Sequence, residues 1–295
     1  MRRRRALVLA LALALALAAA GGVCYASWQS AEKLVHPPRE LSNATPPMPF
    51  QEVEFEASDG VDLVGWFVPA DHARGIVVFL HGYGDSKAQA LPLLGFLHNA
   101  SYDVFAYDAR AHGASAGDVT TVGMDEVADV QGAIGMARLL DPPASEHLAL
   151  LGWSMGAATA LNAAPYAPEV DAVVADSGFA TLTNIASNSI THFTDLPKYP
   201  FGPLAVTFAG WIVGHNVREN KPLEAVAKLD MPILVIQGLA DDIAFPDSDG
   251  KAIAGAAPAG SDLWLVPDAL HVQAHTVAPA EYEARVLAYL DARLS

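Results

Sequence analysis

Cysteine is all but missing from this chain of 295 residues: Cys24 stands alone, so no intrachain disulfide holds the fold. A chain this long does not depend on bridges, because it can bury most of the surface it exposes when unfolded. Positive charge is the second scarcity. Four of the 17 lysines and arginines are Arg2 to Arg5, which leaves 13 against 33 acidic residues and a net charge of −20 over the remainder. So acidic a surface repels phosphate backbones and argues against nucleic acid as a partner. Charged residues make up only 17% of the chain and hydrophobic ones 52%, which excludes a disordered protein and supplies a sizeable core.

Long apolar runs are also missing, with one exception. MRRRR leads into ALVLALALALALAAA, and no charge occurs from Ala6 to Trp28. A bilayer takes ~20 such residues. Residues 1–28 therefore read as a secretory signal peptide or an uncleaved membrane anchor outside the fold, with small-residue cleavage patterns at 18–20 and 24–26. The arginines hold the N-terminus in the cytoplasm, so the rest is exported: membrane-anchored outside the cytoplasm, or secreted or periplasmic if the signal is cleaved. Residues 29–50, with HPP and TPPMP, read as a proline-rich linker. The apolar stretch from Pro200 to Val213 is too short to span.

From Gln51 the chain alternates. VEFEA, a turn at Gly60 and VDLVGWFVP read as a hairpin. GIVVFLHG, YDVFAYD, HLALLG, DAVVADS, PILVIQG and SDLWLVPD read as strands, and helices are expected over 86–99, 122–140, 155–165, 246–256 and 279–293. Buried strands alternating with helices predict an α/β domain over 51–295, with a mostly parallel central sheet and helices on both faces. Ligand sites in such sheets lie beyond the carboxyl ends of the strands.

One strand ends in Gly152-Trp153-Ser154-Met155-Gly156 just before a predicted helix. This is G-x-S-x-G in its strand–turn–helix setting, a nucleophile elbow whose glycines leave room for a crowded turn. A serine there can also cap the helix. At these residues the chain resembles the α/β-hydrolase superfamily, and is similar to its bacterial esterase-like and aminopeptidase-like serine hydrolases.

The resemblance implies a small cap inserted at residues 179–225 and a triad in the order serine, acid, histidine. After PILVIQG, the stretch LADDIAFP is similar to G-x-x-D-x-x-V-P and makes Asp241 the acid. Ala244 and Phe245 depart from that pattern, so Asp242 stays open, as does Asp176 at the end of DAVVADS. PDALH followed by APAEYEARVLAYL implies His271 as the base, with His275 a loop residue. His271 and His275 are spaced i and i+4, but no acidic residue lies between them as in H-E-x-x-H, and no metal is expected. His81-Gly82-Tyr83-Gly84 matches the H-G-x loop, which assigns the oxyanion donors to the amides of Tyr83 and Met155. The stretch from Tyr107 to Ser115 resembles D-x-R-G-H-G-x-S, with Arg110 and His112 tying loops together. In the cap, Phe193, Phe201, Phe208 and Trp211 either line an acyl pocket or pack the cap onto the core.

These parts lead to a serine hydrolase of carboxylic esters with small or medium acyl groups, working without metal or organic cofactor on a small-molecule ester. Its membrane contact would be the N-terminal segment, if uncleaved. An amide-bond hydrolase or acyltransferase with the same triad is the alternative. A non-catalytic binding protein on a hydrolase scaffold is the reading from another class.

Overall fold

Strands covered by helices on both faces have no solvent side, and the uninterrupted apolar runs of this chain become such strands. The computed structural model describes residues 2–39 and 41–294. Among them eight strands form one sheet: β1 (Gln51–Glu56), β2 (Asp62–Val68), β3 (Ile76–Leu80), β4 (Asp103–Asp108), β5 (Leu148–Trp153), β6 (Val170–Asp176), β7 (Leu234–Gly238) and β8 (Asp262–Val266). Their order is β1-β2-β4-β3-β5-β6-β7-β8. β1 and β2 pair antiparallel, as do β2 and β4, and the remaining pairs are parallel. Every residue of β3, β4 and β5 is buried. The β1–β2 turn uses Gly60 at φ +88°, a conformation that glycine reaches without a Cβ clash.

The helices are α1 (Arg2–Val35), α2 (Leu91–Asn99), α3 (Val127–Leu140), α4 (Met155–Ala163), α5 (Leu182–Phe193), α6 (Lys198–Val213), α7 (Pro222–Val226), α8 (Lys251–Ala256), α9 (Ala274–Val277) and α10 (Pro279–Asp291). The sheet divides the core in two. One side packs α3, α4, α7 and α8 through residues such as Ile134, Leu161, Val226 and Ile253. The other packs α2 and α10 through Leu93, Leu97, Tyr282 and Val286. Between β6 and β7 the chain inserts α5 and α6, the expected cap.

The N-terminal segment departs from expectation. No break occurs at residue 28: α1 continues to Val35, so residues 29–35 are helix and not linker. The helix stops before His36-Pro37-Pro38, where proline disfavours helical geometry in the residue preceding it. Ser27, Ala31 and Val35 are buried, so the end of α1 lies within the fold rather than outside it. The segment after it is fastened too, since Arg39 donates to the carbonyls of Ser115 and Gly117.

Candidate active site

Ser154 sits between the end of β5 and the first turn of α4 with φ +52° and ψ −111°, in the left-handed region that a serine rarely adopts. Close packing enforces the turn. A Cβ on Gly152 would lie 2.2 Å from the carbonyl oxygen of Gly156, and one on Gly156 would lie 2.0 Å from that of Leu80. Only glycine fits at either place, and the turn pushes the hydroxyl out at the end of the sheet. The Ser154 N–H is held by the Asp176 carbonyl at 2.9 Å.

His271 lies in the loop after β8, its Nε2 2.8 Å from Ser154 Oγ and its Nδ1 2.8 Å from Asp241 Oδ2. The loop is stitched to the neighbouring strand end: Leu239 N–H donates to Val266 O at 2.9 Å and Ala240 N–H to Ala269 O at 3.0 Å. A Cβ on Gly238 would sit 2.3 Å from Ala269 O, so this approach also needs glycine. Val272, at φ +57°, donates its N–H to Ser177 Oγ at 3.0 Å, which fixes the residue after the histidine.

Asp241 is buried and its carboxylate is fully engaged. Oδ1 accepts the N–H groups of Ile243 and Ala244, each at 2.9 Å, and Oδ2 accepts Gln237 Nε2 at 2.8 Å beside the imidazole. The other two acids do not reach His271. Asp242 is exposed and faces His192 in the cap at 3.0 Å. Asp176 is buried and accepts the Ser177 hydroxyl at 3.0 Å, and burial, the largest influence, pushes its carboxyl up to about 7. Its burial beside the hydroxyls of Ser177 and Tyr282 suits a protonated acid.

Met155 follows Ser154 directly and Tyr83 stands in the loop after β3, and neither backbone N–H has an acceptor among the described residues. Met155 opens α4, where the first amides have no intrahelical partner and the helix dipole favours negative charge. Burial pushes the Tyr83 phenol up to about 12, and its hydroxyl donates to the Lys33 carbonyl in α1. Gln89 Oε1 holds the Gly82 N–H at 2.7 Å. His81 is buried, with Nδ1 2.7 Å from Gly82 O and Nε2 accepting Ala109 N–H at 2.9 Å. Burial lowers its pKa, in keeping with this neutral ring. Arg110 bridges Asp59 and Asp129 at 2.7–2.8 Å and so ties loops together, while His112 bonds the Arg110 carbonyl of its own loop at 2.8 Å and sets its ring 5.0 Å from that of His81 and 5.8 Å from that of Tyr83.

The cap aromatics divide. Phe201 and Phe208 pack inward, whereas Phe193 and Trp211 face solvent, so the four do not form a common lining. His275 lies against Tyr282 with ring centroids 5.1 Å apart and pairs with Glu283 at 3.2 Å. Among the described residues no three His, Cys, Asp or Glu side chains converge as metal ligands would. Sequence reasoning missed Gln237 and Ser177, which steady the acid and the histidine loop. Both stand next to strand-end residues it singled out, Gly238 and Asp176, and that adjacency was the available signal.

A family model described as serine aminopeptidase, S33, matches residues 71–196. An esterase of Pyrococcus furiosus is 30% identical with a TM-score of 0.76, over 89% of this chain and 99% of that one. The uncharacterized protein YfhR of Escherichia coli (strain K12) is 28% identical over 235 residues, 77% of this chain and 75% of that protein. The Arabidopsis thaliana alpha/beta hydrolase domain-containing protein WAV2 is 22% identical over 239 residues, 73% of this chain and 72% of that one.

Proposed function

Because the chain belongs to the α/β-hydrolase superfamily, we propose that this hydrolase is a serine enzyme acting on carboxylic esters of small or medium acyl groups. The observation that carries the reading is the run of contacts from Ser154 Oγ through His271 to Asp241, each 2.8 Å long. Similarity to the Pyrococcus esterase along nearly its whole length supports the ester over the amide.

In this mechanism Ser154 Oγ attacks the ester carbonyl while His271 Nε2 takes its proton. Asp241 keeps the other imidazole proton on Nδ1 and stabilises the imidazolium that forms. Negative charge on the carbonyl oxygen is met by the amides of Tyr83 and Met155. Losing one such donor costs ~2.7–4 kcal/mol of transition-state stabilisation. The imidazolium protonates the departing alcohol, and water activated by His271 then releases the acid from Ser154. The substrate is a small molecule. α1 suits a signal or membrane anchor that places the catalytic domain beyond the cytoplasm.

Hydrolysis of p-nitrophenyl esters from acetate to laurate, beside alanine p-nitroanilide, tests this on the wild type and Ser154→Ala. The reading expects ester turnover that peaks at short or medium chains and vanishes in the variant. Faster cleavage of the anilide would point to the amide-bond alternative, which the aminopeptidase family model favours. A rate rising steadily to laurate would contradict the acyl range.

A further inference from the structure

α1 changes character along its length. Residues 6–22 are all exposed, including Leu7, Leu9, Leu11, Leu13, Leu15 and Leu17 at 61% to 70% of their full area. A continuous apolar sleeve of that kind is unstable in water and calls for lipid around it. From Val23 onward one face turns inward. Val23, Ala26, Ser27, Ala31 and Val35 follow the three- and four-residue spacing of a helix stripe.

That stripe packs on the cap in a definite direction. Val23 and Ala26 join Leu196 against Ile190, Phe201 and Ala205, and the Trp28 ring lies 5.7 Å from that of Phe208. Farther along α1, Tyr83 bonds the carbonyl of Lys33, and Thr120 N–H bonds that of Val35 at 2.9 Å. Rising numbers on α1 therefore meet rising numbers on α6, and the two helices run parallel. The exposed half of α1 projects past the start of α6, beside the turn between α5 and α6. Phe193, which ends α5, and Tyr199, in the first turn of α6, flank that turn and are 71% and 72% exposed, and Tyr25 on α1 is 69% exposed. Trp211, 68% exposed, stands at the opposite end of α6. At 1.5 Å per residue it is about 15 Å beyond Phe201.

The length of α1 places these rings. Ala6 to Tyr25 is 20 residues. At 1.5 Å each they cover about 30 Å, the thickness of the hydrocarbon core. With Arg2 to Arg5 at one interface, Tyr25 arrives at the other, where aromatic side chains settle at head-group level. Residues 182–221 hold three basic and two acidic side chains, a nearly neutral patch on a strongly acidic protein. Both cleavage patterns, at 18–20 and 24–26, lie in unbroken helix rather than in the exposed loop that proteases favour.

We propose that α1 is retained as a membrane anchor built into the catalytic domain, and that the α5–α6 turn rests on the bilayer through Phe193 and Tyr199 beside Tyr25. The turn is tied to the loop that carries Asp241: His192 meets Asp242 at 3.0 Å, and the Lys198 ammonium lies 4.6 Å over the Phe245 ring. The lipid surface is thereby close to the candidate site. This surface does not depend on the catalytic reading, because its test needs no turnover.

The test uses the full chain in phosphatidylcholine vesicles, with Cys24→Ser removing the native thiol. Spin labels are attached singly at Phe193→Cys, Tyr199→Cys and Trp211→Cys. All three sites are surface positions, and a thermal melt checks that each variant is folded. Collision with oxygen and with a nickel chelate reports depth. The proposal expects labels at 193 and 199 to favour oxygen severalfold more than the label at 211. Equal nickel access at all three positions would overturn the docking surface. An intact mass showing that membrane-extracted protein begins at Gly21 or Ser27 would overturn retention of the anchor.

Discussion

Replacing Asp241 by asparagine keeps the side chain's shape but removes its charge and puts donor hydrogens where an oxygen accepted. Oδ1 accepts two backbone N–H groups, so the amide oxygen must stay there, and its NH2 takes the place of Oδ2. That NH2 then faces Gln237 Nε2, a donor, and His271 Nδ1. The imidazole can satisfy it only by accepting at Nδ1, which moves its proton to Nε2, toward Ser154. The base is then blocked. Turnover should fall about 10⁴-fold, as it does when a triad carboxylate is made neutral, which is about 5 kcal/mol of barrier. The donor–donor contact with Gln237 should cost about 1–3 kcal/mol of stability, leaving the protein folded. Asp242→Asn changes an exposed residue, so its rate should stay within about 2-fold. Ester hydrolysis, with a thermal melt of each variant, decides. Asp241→Asn within about tenfold of wild type, or Asp242→Asn as the more damaging change, would refute the reasoning.

Gly156→Ala would drive a Cβ to 2.0 Å from the Leu80 carbonyl, a contact with backbone that cannot swing away. Overpacking of this severity should cost about 3 kcal/mol or more. A melt should then shift down by roughly 6–12 °C. Tyr83→Phe removes only the bond to the Lys33 carbonyl and keeps the backbone amide. It should lower stability by about 0.5–1.5 kcal/mol with kcat nearly unchanged, and a large loss of kcat would mean that the hydroxyl itself touches substrate. Asp176 titrates near 7 in the folded protein, above its unfolded value, so the native state binds the extra proton and stability falls as pH rises toward 7. Asp176→Asn removes that loss. In urea unfolding its advantage over wild type should be larger at pH 8 than at pH 4.5, while ester turnover persists.

Much of the candidate site was legible because its residues sit at strand ends. Ser154, Asp241 and His271 each follow an apolar run, and the glycines at 152, 156 and 238 mark the close approaches that hold them. The Asp241–Asp242 choice was not legible. The two are adjacent and alike, and only folding shows which one turns toward His271 and which toward His192. The inner half of α1 was missed for another reason. Its buried face includes Ser27 and Ala31, small residues that allow close packing on a neighbour but add little to a hydrophobic pattern. The cap aromatics were ambiguous because inward and outward rings look alike until α1 is seen to cover Phe201 and Phe208.

The most direct test of the central claim is to treat the full chain with a fluorophosphonate and locate the adduct by mass spectrometry of its peptides. The account predicts stoichiometric labelling on Ser154, abolished in Ser154→Ala and strongly slowed in His271→Ala. A folded protein that stays unlabelled, or carries the adduct on another serine, would contradict it.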